Sequence, residues 1–213
     1  MTEIKIFVFN SFQENTFLLY DETKECVIID AGCHDLSENN ELFSYISDHG
    51  LVPKHLINTH CHIDHILGNS AVIEKYNIPS IANKEEVPLI ERANDMAMAF
   101  GFTIKEPPKP NVFVSDGDEI KFGNSILEVR QVPGHSPGSI ALVSKSGRFV
   151  IVGDALFKGS IGRTDLPGGD YNTLISSINQ KLFTLDDDFV VYPGHGDSTT
   201  IHHEKSTNPF FTK

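Results

Sequence analysis

Thr59-His60-Cys61-His62-Ile63-Asp64-His65 places three imidazoles and a carboxylate within a few positions, directly after the apolar stretch His55-Leu56-Ile57-Asn58. Residues two apart on an extended chain point to the same side, so His60 and His62 can present ring nitrogens to one ion as the strand ends. Asp64 and His65, just past the turn, can then face a second ion. A lone histidine is usually a satisfied structural residue. Several histidines with a carboxylate at ligand spacing match what a zinc-type or iron-type centre requires.

Three further segments repeat one design, an apolar strand running into a Gly or Pro turn and then a potential ligand. Pro133-Gly134-His135-Ser136-Pro137-Gly138 holds a histidine between turn formers. Arg148-Phe149-Val150-Ile151-Val152 ends in Gly153-Asp154, which puts a carboxylate at a strand terminus. Val190-Val191-Tyr192-Pro193-Gly194-His195-Gly196 does the same with a histidine. Loops at strand ends are where binding groups concentrate.

With these segments in view the chain resembles the metallo-β-lactamase fold superfamily, and within it the small hydroxyacylglutathione hydrolase-like (glyoxalase II-like) group. The pattern HxHxDH, followed in order by a His, an Asp and a His on separate loops, is met at His60, His62, Asp64, His65, His135, Asp154 and His195. The likeness extends to Gly153-Asp154-Ala155-Leu156-Phe157, Gly162-Arg163-Thr164-Asp165 and Thr207-Asn208-Pro209-Phe210.

The resemblance implies an αββα sandwich, two mixed β-sheets flanked by helices. It also implies two divalent metal ions, zinc first, with iron or manganese as alternatives. His60, His62 and His135 would bind one ion, Asp64, His65 and His195 the other, and Asp154 would bridge. Asp64 and Asp154 would thereby be catalytic, since two ions lower the pKa of a shared water from about 15.7 toward 7 and polarise a carbonyl. The implied reaction is hydrolysis of a small thioester such as S-lactoylglutathione by a metal-bridging hydroxide. Full-length glyoxalase II carries a carboxy-terminal helical domain that grips glutathione. This chain reaches Lys213 soon after the last ligand, so a single domain over 1–213 without that helical domain is expected.

Arg163 and Lys158, in the glycine-rich loop after Asp154, are the candidate contacts for an acidic substrate, the alternative being an Arg163–Asp165 pair at the surface. Other activities remain open on the same motifs. One is a mononuclear iron persulfide dioxygenase-like oxidoreductase, whose family also carries Gly-Arg-Thr-Asp after the metal aspartate. Another is a different small-molecule hydrolase such as a lactonase, and a third is metal binding without catalysis.

Composition narrows the field. The net charge of -12 disfavours a polyanionic partner, because nucleic-acid binding rests on Lys and Arg neutralising phosphates, and no basic run is present. Nucleic acid is therefore not expected as a partner, nor is a membrane, since no apolar run approaches the roughly 20 residues of a spanning helix. The amino terminus lacks the basic and apolar regions of a signal peptide. Cys26, Cys33 and Cys61 are odd in number and lack zinc-ribbon spacing. Both features point to the cytoplasm. Cys61, between two expected ligands, points away from them by alternation and reads as packing.

Apolar periodicity predicts strands at Glu3–Phe9, Thr16–Tyr20 and Cys26–Asp30, a meander, then His55–Asn58. Helices are expected at Glu41–His49, Ile66–Tyr76 and Glu85–Phe100, with Met96 and Met98 as packing residues. The segment 106–110 reads as a loop. Strands follow at Val112–Val114, Glu119–Phe122, Ile126–Val132, Ile140–Val143 and Phe149–Val152, then a helix at Tyr171–Phe183 and a strand at Phe189–Tyr192.

Overall fold

The computed structural model describes residues 2–212; Met1, in the expected amino-terminal strand region, and Lys213, at the chain end, lie outside them. The chain forms two compact units, Met1–Val114 with Lys121–Ser125, and Ser115–Ile120 with Ile126–Lys213.

The first unit is built on a six-stranded sheet in sequence order. Its strands are β1 (Glu3–Phe9), β2 (Glu14–Tyr20), β3 (Glu25–Ile29), β4 (Val52–Ile57), β5 (Ser80–Ala82) and β6 (Val112–Phe113). The first three form the expected antiparallel meander, and β3 to β6 pair in parallel. Between Cys26 and Val27 the β3–β4 register slips, with Pro53 and then His55 as partners, so Lys54 is an extra residue on β4. Helix α1 (Leu36–Asp48) begins five residues before the expected Glu41, because Asp35 caps it, accepting from the Glu38 amide. Its Leu42 and Ile46 pack with Leu18, Cys26, Ile28 and Leu56 of the sheet and with Val72 of α2 (Asn69–Tyr76). Each such fully buried Leu or Ile contributes about 1.5–3 kcal/mol.

The helix expected over Glu85–Phe100 is broken. A 3-10 turn at Lys84–Glu86 leads into α3 (Val87–Glu91), and α4 (Ala93–Ala99) starts afresh after Arg92. Ile90, Ala93 and Ala97 pack against Cys61, Ile63, Ile66 and Leu67, and Met96 is partly buried there as expected. Met98 is a correction: it is 76% exposed. Helix α2 starts at Asn69 instead of Ile66, since the main chain turns at Ile63–His65 and Gly68 donates to Ala31 O (2.7 Å).

The second six-stranded sheet has the order β14-β13-β10-β9-β8-β7. Its strands are β7 (Glu119–Phe122), β8 (Ser125–Gln131), β9 (Ile140–Ser144), β10 (Phe149–Gly153), β13 (Val190–Pro193) and β14 (Thr199–Thr200), and a small hairpin, β11 (Leu156–Phe157) with β12 (Ser160–Ile161), lies between β10 and β13 in the chain. Strands β10 and β13 run parallel, while β13–β14, β9–β10 and β8–β9 are antiparallel. Along β10 and β13 the register is Phe149 opposite Val190 through Ile151 opposite Tyr192, and then Gly153 faces Pro193, leaving Val152 as an extra residue. Helix α5 (Tyr171–Ser177) continues as a π-helical turn, Ile178–Leu182, within the span predicted as one helix. Leu174, Ile178 and Leu182 bury against Val132, Val143, Val150, Val152 and Val191, and α6 (Ile201–Thr207) adds Ile201.

Candidate metal centre

In the first unit the loop after β4 brings His60, His62, Asp64 and His65 together. The strand stops at Ile57, so His60 and His62 stand on loop and not on the strand end as expected. Their rings nevertheless meet, edge to face with centroids 4.8 Å apart, and the His60 and His65 centroids are 4.1 Å apart. His65 Nε2 lies 3.6 Å from Asp64 Oδ2.

Asp30 organises this loop. It sits just past β3, fully buried, with φ 53°. Its Oδ1 accepts from the Thr59 amide (2.7 Å), and its Oδ2 accepts from Thr59 Oγ1 (2.6 Å) and lies 3.1 Å from His65 Nδ1. The Thr59 hydroxyl proton is thereby committed to Asp30, so Thr59 Oγ1 can only accept from His60 Nδ1, 3.2 Å away. Both rings are left with their Nε2 lone pairs for a cation, the usual arrangement of metal-ligating imidazoles. Ligand atoms of Asp30, His60 and His65 lie within 4.8 Å of one another. Asp30 already accepts from Thr59 twice and faces His65, so it orients ligands and is not counted among them.

More buried acid lies behind. Glu14 is fully buried, 3.8 Å from His65 Nδ1, and accepts from Thr16 Oγ1 (2.8 Å). Burial pushes its carboxyl well above the usual range, and the nearby Asp30 and Asp64 add to that while His65 opposes it. Glu86, also buried, accepts from the Cys61 amide (2.7 Å). Cys61 itself is enclosed with Ile63, Ile66 and Ala82, and burial raises its thiol well above the ordinary value.

In the second unit His135, Asp154 and His195 follow β8, β10 and β13. Asp154 Oδ2 lies 3.7 Å from His135 Nε2 and 3.6 Å from His195 Nε2. The loops carrying Asp154 and His195 are neighbours because the parallel ladder extends past the strands, with Gly194 N donating to Gly153 O (2.8 Å). His135 Nδ1 is 2.8 Å from Arg163 O. A carbonyl only accepts, so Nδ1 carries the proton and the Nε2 beside Asp154 is basic. Gly134 has φ 127°, and a Cβ there would lie 2.3 Å from the Leu174 amide nitrogen, so only glycine lets the His135 turn approach α5.

Gly162 faces a harder limit, since a Cβ there would lie 1.9 Å from Asp154 O and 3.1 Å from His135 Nδ1. Gly162→Ala is expected to cost about 1–3 kcal/mol of stability by overpacking and to lower metal uptake through displaced Asp154 and His135. Calorimetric melting with and without zinc checks this. An unchanged Tm together with unchanged metal content would remove the steric role.

Of the two candidate substrate contacts, Arg163 forks onto Asp165 (Nε–Oδ1 2.7 Å, Nη2–Oδ2 2.8 Å), and this pair holds Asp165 down to about 2. Lys158 Nζ is 3.5 Å from Asp197 Oδ2, and both side chains are exposed. Sequence reasoning missed Asp30, Glu14 and Glu86. The signal for Asp30 was available: Val27-Ile28-Ile29-Asp30 is another apolar strand ending in a carboxylate.

A family model described as the Metallo-beta-lactamase superfamily matches residues 10–195. The chain belongs to that superfamily. A Haemophilus influenzae relative named hydroxyacylglutathione hydrolase GloC is 36% identical over 97% of this chain and 97% of its own. Among solved structures, BLEG-1 B3 metallo-beta-lactamase superposes with a TM-score of 0.90 at 32% identity, covering 99% of this chain and 100% of that one. TTHA1623 in a di-iron-bound form gives 0.87 at 35% identity, covering 97% and 99%. The protein therefore has the metallo-β-lactamase fold, with two mixed β-sheets and flanking helices, and is a metallo-hydrolase at the level of the superfamily. Its His-rich groups suit divalent metals. Among the described residues, no helix is long and apolar enough to cross a membrane.

Proposed function

We propose that the protein is a dinuclear metal-dependent thioesterase of the hydroxyacylglutathione hydrolase kind. His60, His62 and His135 would hold one ion, Asp64, His65 and His195 the other, with Asp154 shared. The observation that carries this reading is the Asp154 carboxylate, 3.7 Å from one imidazole and 3.6 Å from another. A carboxylate so placed can offset the repulsion of two neighbouring cations. When bound, two such ions would acidify a water and polarise a carbonyl, chemistry that needs no Ser or Cys nucleophile.

The protein's own part is preorganisation. Asp30 and Thr59 set the rings of His65 and His60, and Arg163 O sets that of His135. Arg163 and Lys158 are proposed as contacts for an acidic leaving group, with Arg163 exchanging Asp165 for substrate. The name of the Haemophilus influenzae relative supports a thioester substrate. Zinc is the metal proposed, and iron remains an alternative because a similar structure is described as di-iron-bound. The Gly162-to-Asp165 segment does not favour a dioxygenase, since its carbonyl and carboxylate have structural duties here in either reading.

The test pairs elemental analysis with turnover of S-lactoylglutathione and a short panel of other thioesters. Wild-type protein is expected to carry close to two ions and to hydrolyse thioesters. Asp64→Ala should retain about one ion and lose most activity, because the site acts as a unit. Two ions and full activity in that variant would defeat the dinuclear assignment. One iron with oxygen consumption on glutathione persulfide, or turnover of a β-lactam without thioester hydrolysis, would replace the reading.

A further inference from the structure

Glu204 lies on α6, wholly buried, and its two carboxylate oxygens reach two different segments of the second unit. Oε1 accepts from Thr199 Oγ1 (2.6 Å), on β14, the strand that follows the His195 loop. Oε2 accepts from the Gly159 amide (3.0 Å), at the tip of the β11–β12 hairpin and next to Lys158. Asn208, at the end of α6 and also buried, reinforces the second side. Its Nδ2 donates to Glu204 Oε2 (2.7 Å) and to Ser160 O (3.0 Å), and its Oδ1 accepts from the Phe210 amide (3.1 Å). In Thr207-Asn208-Pro209-Phe210 the asparagine is therefore a residue that touches the hairpin.

A carboxylate taken out of water is costly unless donors meet both of its oxygens, as they do here. Helix α6 already has an apolar anchor in Ile201, so filling the core does not require an acid at 204. What the acid adds is a link between hairpin and loop. The two also meet at the surface, where the Phe157 and His195 ring centroids are 6.4 Å apart and Lys158 Nζ stands 3.5 Å from Asp197 Oδ2. The side chains of that ion pair are 54% and 84% exposed, and a pair so exposed holds little in place. The buried carboxylate beneath it fixes the backbone on both sides.

We propose that Glu204, with Asn208, is a positioning residue that clamps the Lys158 hairpin against the His195 loop and so sets the preference for thioesters with an anionic leaving group. The inference rests on the thioesterase reading for its reacting bond. Glu204 acts through Lys158, which the clamp holds beside the mouth of the site.

Metal-free protein is first treated with trypsin, which must draw the Lys158–Gly159 bond out of the hairpin to cut it. Glu204→Ala is expected to speed that cut at least about tenfold relative to the cut after Lys145, an exposed lysine in the β9–β10 turn of the same unit. Glu204→Gln should stay near wild type. Its amide oxygen can accept from Gly159 and Asn208 while its NH2 group turns to the Thr199 hydroxyl, which can accept. Equal acceleration at both lysines, or a Gln variant cut as fast as the Ala one, overturns the clamp.

Zinc-loaded enzymes are then compared on S-lactoylglutathione and on the neutral lactoyl thioester of N-acetylcysteamine, since the ratio of the two kcat/KM values cancels any shared loss of metal. Glu204→Ala should lower that ratio about three- to fivefold, the scale of a solvent-exposed charge contact, with little further change when Lys158→Ala is added. An unmoved ratio, or effects of the two substitutions that simply multiply, overturns the positioning role. If Glu204→Ala does not fold, Thr199→Val cuts the link from its other side and carries the ratio. Hydrogen exchange of the wild-type Gly159 amide then replaces the trypsin comparison: protection of at least about tenfold is expected, and exchange at the free-peptide rate overturns the clamp. If wild type hydrolyses neither thioester, the thioesterase reading fails and the trypsin result decides the clamp on its own.

Discussion

Asp154→Ala is expected to lower hydrolysis by at least about a thousandfold, roughly 4 kcal/mol of barrier, while leaving the fold in place. The side chain is only 13% exposed and converges with His135 and His195, yet it stands past the end of β10, outside the apolar cluster of the second unit. Removing it takes away a carboxylate placed between those imidazoles, so bound metal should fall with activity. Circular dichroism and melting of the metal-free variant check the fold, and elemental analysis with turnover checks the site. Full metal content together with wild-type turnover would end the assignment of Asp154 to the metals.

Asp30→Ala should damage both the fold and the site. It strips acceptors from the Thr59 amide, the Thr59 hydroxyl and the His65 ring at once, in a fully buried place. Unsatisfied buried groups cost about 1–3 kcal/mol each, so a loss of at least about 3 kcal/mol is expected in the metal-free protein. An alanine held at φ 53° adds to it. Loss of a group that orients a metal ligand typically weakens metal binding about 10–100-fold. Denaturant melts of metal-free protein give the first quantity and competitive zinc titration the second. If stability drops while zinc affinity stays at the wild-type value, Asp30 supports the fold only and the orienting role is wrong.

The two aspartates show why parts of the site were legible in sequence and parts were not. The histidine run announces itself because chemistry is dense along the chain, and Asp154 is found once that run prompts a search for strand-end ligands. Asp30 has the same local pattern but no dense neighbour. Its purpose lies in Thr59 and His65, joined to it only by β3 pairing with β4. Glu14 and Glu86 are harder still, since a glutamate in an amphipathic context reads as surface until tertiary structure encloses it. Among the elements, β1 was legible to its ends from the alternation of Ile4, Ile6 and Val8, yet the face it buries is that of Phe7 and Phe9, and Val8 is exposed. Strand β5 is three residues, Ser-Ile-Ala, too short to alternate, and exists because β4 and β6 flank it. The break at Arg92 left no mark in the apolar spacing, which runs through Ile90, Ala93 and Ala97 on either side.

The extra residues in the two parallel ladders, Lys54 on β4 and Val152 on β10, each come a few positions before a ligand-bearing segment. Side chains on a strand alternate strictly, so a one-residue shift in pairing exchanges inward and outward faces for every residue downstream of it. The sheet thus has something like a reading frame. Substitutions at the buried positions of β4 or β10 can drift as long as they stay apolar, and the pairing register is kept. A single-residue deletion at either slip would straighten the ladder, yet exchange the faces of the strand residues that lead into the ligand-bearing loops.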